Sequence, residues 1–189
     1  DGRNYTESGT WDTDESSHGT HVAGTAVAIN NTFGVLGVAP NKELDVYIAK
    51  VFDASGSASS FSVSAAMLGC LRSRSNVVNM SLGSEFGDGT DSSAVASDNA
   101  ARAGIVVVCS AGNSGDTYFV TSSPGTSDHA ISVAASVDSG VTAGALRVLR
   151  QLDAVAGVVG ARPGEDDGVV CRSFLDRTEE VQLFGVTQG

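Results

Sequence analysis

Four short apolar runs, at residues 44–52, 76–82, 105–110 and 130–135, dominate the first 137 residues of the chain. Stretches of helical periodicity separate the first three. Ser59 or Ser60 can cap a helix in which Val63, Ala66, Met67, Cys70 and Leu71 form one apolar stripe. Asp91 can cap another, which Gly104 ends. A third helix is expected over 18–29, where Val22, Ala26 and Ile29 share helical spacing. Strands that alternate with helices of about 10–15 residues predict an α/β fold with a mostly parallel sheet and helices on its faces. Such sheets bind ligands beyond the strand C-termini. The loops there are 52–60, 82–90 and 111–121, all rich in Gly and Ser. Residues 1–17 and 30–43 read as loop.

Composition narrows the function classes. The chain has 189 residues, enough for one domain of ordinary size. With 41 % apolar and 17 % charged residues it is not a disordered acidic chain, despite a net charge of -11. Only Lys42 and Lys50 are lysines, and no basic footprint for nucleic acid exists. The longest apolar run, 105–109, is far short of the ~20 residues of a membrane span. Cys70 and Cys109 lie in apolar runs and are expected to be core residues; with Cys171 they show no zinc-ligand spacing. The first residue is Asp and no signal peptide is visible, so the chain is expected to be processed, cut or a fragment. Character changes after residue 137: the last 52 residues carry five of the nine arginines, no lysine and no clear strand–helix alternation. An amphipathic helix over 143–160 is weakened by Gly144 and Gly157.

Three stretches carry possible chemistry. The first is Ser17-His18-Gly19-Thr20-His21-Val22-Ala23-Gly24-Thr25. A histidine in a helix's first turn, near the open edge of the sheet, can serve as general base if a carboxylate orients its other nitrogen. Gly19 and Gly24 would permit close backbone approach. His18 and His21 also suit a metal pair completed by Asp12, Asp14 or Glu15, or plain capping and core roles. The second is Ser110-Ala111-Gly112-Asn113-Ser114-Gly115, where a side-chain amide on a glycine-flanked turn suits donation to an oxyanion, or simply forms a turn. The third pairs Asn79-Met80-Ser81-Leu82-Gly83 with Gly56-Ser57-Ala58, two extended edges able to clamp a peptide as an added strand, or two ordinary loops.

Together these stretches resemble the subtilisin-like serine proteases (subtilases). His-Gly-Thr-His-Val-Ala-Gly-Thr is similar to the family's histidine motif, Asn-Met-Ser-Leu-Gly to its substrate-binding strand and Ala-Gly-Asn to its oxyanion turn. Asn-Asn-Thr-Phe-Gly-Val-Leu-Gly-Val-Ala-Pro, residues 30–40, resembles its calcium loop and the segment after it. Order and spacing match over about residues 8–137. The resemblance implies a three-layer subtilisin-like α/β fold, truncated here, and a secreted serine endopeptidase acting as a monomer on polypeptides. It implies His18 as the triad base, His21 as structural and Asn113 as the oxyanion donor. Substrate backbone would run along Gly56, Ser57 and Ala58 on one side and Ser81, Leu82 and Gly83 on the other. Ala111 and Gly112 would help line the pocket for the residue before the cut. The carbonyls of Ile29, Phe33 and Val35 and the Asn31 side chain would hold calcium, an ion suited to such oxygen ligands.

Two family elements are missing. Asp1-Gly2-Arg3 is not the Asp-Ser/Thr-Gly motif that follows a buried strand, and Asp12 and Asp14 are too close to His18. Gly125-Thr126-Ser127 lacks the Ala of Gly-Thr-Ser-x-Ala and runs straight into a strand, so Ser127 reads as a decoy and His129 as a loop residue. The expected organisation is therefore a partial peptidase domain over 1–137, its sheet lacking a central strand. Residues 138–189 then either begin an inserted module of protease-associated type or are out of frame. Two alternatives stand beside the protease: a non-catalytic, peptide-binding relative, and a metal-binding α/β domain built on His18 and His21.

Overall fold

A computed structural model of the chain describes residues 1–7, 9–115, 118–135 and the backbone of 181–184. In chain order the elements are β1 (Gly2–Asn4), α1 (His18–Val27), β2 (Val46–Lys50), α2 (Ser60–Arg72), β3 (Val77–Met80), α3 (Ser92–Arg102), β4 (Val106–Ser110), β5 (Ile131–Val133) and β6 (Val181–Phe184). The six strands form one sheet in the order β1-β2-β6-β3-β4-β5, and every neighbouring pair is parallel. Parallel neighbours cannot be joined by a tight turn, so helices return the chain to the sheet's starting edge.

The core forms where α2 and α3 meet the sheet. Ala49, Val78, Met80, Val107 and Cys109 of the strands are buried against Val63, Ala66, Met67 and Cys70 of α2 and Ala100 of α3. The α2 stripe read from the sequence is thus the packed face, and both cysteines are core residues. Burial pushes their thiols well above the ordinary range, to about 12 for Cys109, and both are unpaired. Ser59 caps α2, its Oγ accepting from Ser62 N at 3.0 Å. Gly104 follows the C-cap of α3 with a left-handed φ of 101°. Asp91 occupies the N-cap position of α3 but makes no side-chain cap bond; its Oδ2 accepts from Asp88 N at 2.9 Å.

Three expectations are corrected. Residues 1–17 are not all loop, because 2–4 add the edge strand β1, whose polar sequence gives no strand signal. The place between β2 and β3 is not open: β6, from the C-terminal part, pairs with both. Residues 181–184 lie in the stretch without clear strand–helix alternation, so the sequence gives no strand signal for β6. Helix α1 ends at Val27 rather than 29 and buries no residue completely. The boundary at 137, the helix over 143–160 and Cys171 lie outside the described residues.

The close approach expected at Gly24 falls at Gly37 instead. The chain leaves α1, loops out and returns, with Gly37 N donating to Ala28 O at 2.8 Å. A Cβ on Gly37 would lie 2.5 Å from Ala28 N and 2.7 Å from Val27 N, whereas one on Gly24 would meet only Val35 at 3.9 Å. Gly37→Ala should therefore lower unfolding stability by about 1–3 kcal/mol through overpacking against backbone. Gly24→Ala, inside a helix with room, should be neutral or raise it by up to about 1 kcal/mol. Urea titration of the two variants checks the contrast.

Candidate active site

Every segment singled out for chemistry except the 29–35 loop stands at or just beyond the C-terminal end of the sheet, as parallel strand order requires. His18 is the first residue of α1 and is half-buried, while His21 is exposed. The turn before it is unusual. Ser17, at the N-cap, is left-handed (φ 70°, ψ -10°) and makes no side-chain cap bond. Asp14 serves instead: Oδ2 accepts from Thr20 N at 2.7 Å, and Oδ1 from Ser17 N at 3.0 Å and Ser16 N at 3.2 Å. Burial pulls the Asp14 carboxyl upward, but these bonds outweigh it and hold its pKa below the ordinary value. The loop is tied to the sheet by the buried Lys50 of β2. Its Nζ donates to Glu15 Oε2 at 2.6 Å and to Thr13 O at 3.0 Å. A cleft of about 240 Å³ lies between this loop, the start of α1 and the end of β2, lined by Trp11, Asp14, Thr20, Lys50, Phe52 and Asp53 among others.

The segments 81–83 and 111–113 follow the adjacent strands β3 and β4, whose register pairs Met80 with Cys109. Ser110 Oγ donates to Leu82 O at 2.9 Å, and Asn79 Nδ2 donates to Ser81 Oγ at 3.0 Å. Gly112 has a φ of 106°, which favours glycine, and Asn113 follows it, exposed, on the turn. Ser122 wedges between the two segments. A Cβ on Gly83 would sit 2.5 Å from Ser122 Oγ, and one on Gly112 2.9 Å from it. Ser122 is buried, and its hydroxyl finds no hydrogen-bond partner among the described residues. Sequence reasoning missed Ser122, because only the folded chain brings it to both glycines.

Gly56, Ser57 and Ala58 follow β2 on a loop shaped by Asp53. Asp53 Oδ1 accepts from Ser55 N at 2.9 Å and Ser57 N at 3.0 Å, and Gly56 is left-handed at φ 76°. Because β6 separates β2 from β3, these strands lie two strand spacings apart, roughly 10 Å.

Ser127 bonds to a carboxylate and not to an imidazole. Its Oγ donates to Asp98 Oδ1 at 2.6 Å, and the same oxygen accepts from His129 N at 2.8 Å. His129 Nδ1 stands 3.3 Å from it as well, so the carboxylate lies between serine and imidazole. Asp1 precedes the edge strand β1, at the opposite end of the sheet from the start of α1. Among the described residues no group of three or more His, Cys, Asp and Glu side chains is placed to hold a metal. The acids near His18 are engaged elsewhere: Asp14 with backbone amides, Glu15 with Lys50 and Asp12 with Thr10 Oγ1.

Ile29, Asn31, Phe33 and Val35 lie on the loop between α1 and Gly37. Thr32 and Gly34 are left-handed (φ 65° and 74°), and Asn31 Oδ1 accepts from Phe33 N at 3.1 Å.

The model of the subtilase family matches residues 1–172. This chain belongs to the subtilase family. Among curated relatives it is 47 % identical over 102 residues to a thermostable alkaline protease of Halalkalibacterium halodurans, covering 54 % of this chain and 27 % of that protein. It is 43 % identical over 116 residues to subtilisin DY of Bacillus licheniformis, covering 61 % of this chain and 41 % of that one. The chain thus spans well under half the length of these relatives. Among solved structures, sphericase matches with a TM-score of 0.61 and 33 % identity, over 74 % of this chain and 48 % of that one. The psychrophilic subtilisin-like protease Apa1 of Pseudoalteromonas sp. AS-11 matches with 0.59 and 38 %, over 70 % and 31 %. The subtilisin-like α/β fold expected from the motifs is therefore the fold of this chain.

The Asp98 cluster makes a pH prediction. Burial raises the Asp98 carboxyl, but bonds from Ser127 and His129 outweigh it and leave the pKa below the ordinary value. A depressed native pKa gives stability that is complete above the unfolded value of about 3.9 and fades as pH falls through the native one. Asp98→Asn should flatten the acid limb of the stability curve, and Ser127→Ala should cost about 1 kcal/mol at neutral pH. Urea midpoints between pH 2 and 7 check both.

Proposed function

We propose that the protein carrying this chain is a serine endopeptidase, with His18 as general base and Asn113 as oxyanion donor. The observation that carries the reading is their placement. The first residue of α1 and the turn after β4 share one end of the sheet with the segments that follow β2 and β3. His18 would accept the nucleophile's proton and return it to the leaving amine. Asn113 would donate to the oxygen that gains charge as the carbonyl becomes tetrahedral. The peptide backbone would pair with Gly56, Ser57 and Ala58 on one side and Ser81, Leu82 and Gly83 on the other, as an added strand. Ala111, Gly112 and the Ser122 wedge would shape the pocket for the side chain preceding the cut. The nucleophile and the carboxylate that orients His18 belong to Gly-Thr-Ser-x-Ala and Asp-Ser/Thr-Gly motifs, which these residues do not contain.

The substrates are polypeptides, and the enzyme works as a secreted monomer. The acidic, lysine-poor composition and the relatives' character as alkaline proteases and subtilisins support this. No helix among the described residues is long and apolar enough to cross a membrane. The protein as its gene encodes it should hydrolyse casein and lose that activity to a fluorophosphonate, with no label on the peptide bearing Ser127. His18→Ala should abolish hydrolysis, and Asn113→Ala should lower kcat with little change in KM. Binding of extended peptides without cleavage, and without fluorophosphonate labelling, would establish the non-catalytic peptide binder instead.

The loop between α1 and Gly37 is the proposed calcium site. The donor set fits: the carbonyls of Ile29, Phe33 and Val35 and the Asn31 amide oxygen are hard, uncharged oxygens. Phe33 is 86 % exposed, so the loop owes its curl to its backbone and not to core burial. Calcium would stabilise the fold at a distance from the reacting atoms. Millimolar calcium should raise the unfolding temperature, a chelator should reverse the gain, and Asn31→Ala should shift the response to higher calcium. Scanning fluorimetry reads all three.

A further inference from the structure

The N-cap residue of α1, Ser17, leaves the helix uncapped by its own side chain. The N-cap side chain normally accepts from the second or third amide of the helix. Ser17 makes no such bond, and its left-handed backbone is uncommon for a residue with a side chain. The third amide, Thr20 N, is accepted by Asp14 Oδ2 at 2.7 Å. The other carboxylate oxygen accepts from Ser16 N and Ser17 N, the amides of the turn that enters the helix. One carboxylate thus binds both sides of His18, the two residues before it and the second after it. The strain at Ser17 persists because Asp14 bonds the Ser17 amide itself. Ser16 Oγ adds a longer contact to His18 N at 3.3 Å.

On the endopeptidase reading above, we propose that Asp14 is a positioning residue for the catalytic base: it fixes the His18 backbone, and so the imidazole, at the mouth of the substrate groove. It touches neither substrate nor the reacting atoms. Its negative charge also sits at the N-terminus of α1, where the first amides have no intrahelical acceptor, the end of a helix that favours an anion. In Asp14→Asn the oxygen can keep the amides of Ser16 and Ser17, but the new NH2 faces Thr20 N, a donor against a donor. In Asp14→Glu the charge stays while the longer chain displaces both oxygens.

The test uses the protein as its gene encodes it. A peptide p-nitroanilide reports catalysis, and nitrogen-15 spectra of the histidine rings report the base itself. Asp14→Asn should lower kcat by about 10- to 100-fold, the scale of a misplaced catalytic group, with KM within roughly twofold. The His18 ring resonances and titration should move while those of His21 and His129 stay. A purely structural cap would lower the unfolding temperature and leave kcat below that temperature and the His18 spectrum unchanged, which overturns the proposal. Asp14→Glu keeps the charge and should also lose kcat; full activity there would equally overturn it. If Asp14→Asn fails to fold, Asp14→Glu decides. If the unmodified protein cleaves nothing, the endopeptidase reading fails. The His18 spectrum then still tests whether Asp14 sets the ring's environment.

Discussion

Parallel pairing of β3 with β4 is the constraint on which the rest of the structure depends. Val77 to Met80 pair in register with Val106 to Cys109, so both strands end at the same edge and at the same level. The segments that follow, 81–83 and 111–113, are therefore side by side without any contact of their own having to bring them there. The same pairing obliges the chain to cross back over the sheet between strands, and α2 and α3 are those crossings. Their apolar stripes bury Val78, Met80, Val107 and Cys109, so the interactions that stabilise the fold also fix the two loops relative to each other. The bond from Ser110 Oγ to Leu82 O joins the two segments where they leave the sheet.

The loops at that edge are shaped by short carboxylates more than by apolar packing. Asp14 collects three amides around the start of α1, Asp53 two in the loop after β2, and Asp98 the Ser127 hydroxyl and the His129 amide. All three have depressed pKa values, and for each the bonds it accepts outweigh the pull of burial. An acidic chain is usually discussed in terms of solubility and partners. Here part of the acidic excess holds irregular backbone in place. These turns have few side chains to bury and would otherwise leave amides unpaired. Lys50 does the converse from the sheet: a buried ammonium held by Glu15 and Thr13 ties the loop before His18 to β2.

The elements with strong periodicity were legible from residues alone. The α2 stripe, the apolar strands and the Ser59 cap depend on neighbours within one or two turns, and local spacing records them. The motifs were legible for another reason: backbone turns with positive φ and donor amides demand Gly and Asn at fixed offsets, as at Gly112 and Asn113. β1 and β6 were not legible. Gly2–Asn4 is polar and 181–184 stands in a stretch without alternation, and each becomes a strand because a neighbouring ladder supplies its hydrogen bonds. The motif points to Gly24 for close approach, while Gly37, thirteen residues beyond it, receives the returning chain.

By itself, then, the sequence determined which segments are helix or buried strand, that the strands are parallel, and which turns carry imidazole and amide to one edge. These follow from local spacing and from the rule that alternating strands and helices pair in parallel. Only the tertiary structure decided that Asp14 caps α1 from outside it, that Ser122 fills the gap between two glycines and that Ser127 gives its hydroxyl to Asp98. It also decided that β6 takes the place between β2 and β3. Each is a contact or pairing outside the pattern of any single element. Its energy depends on distances that no local pattern of apolar and polar residues encodes.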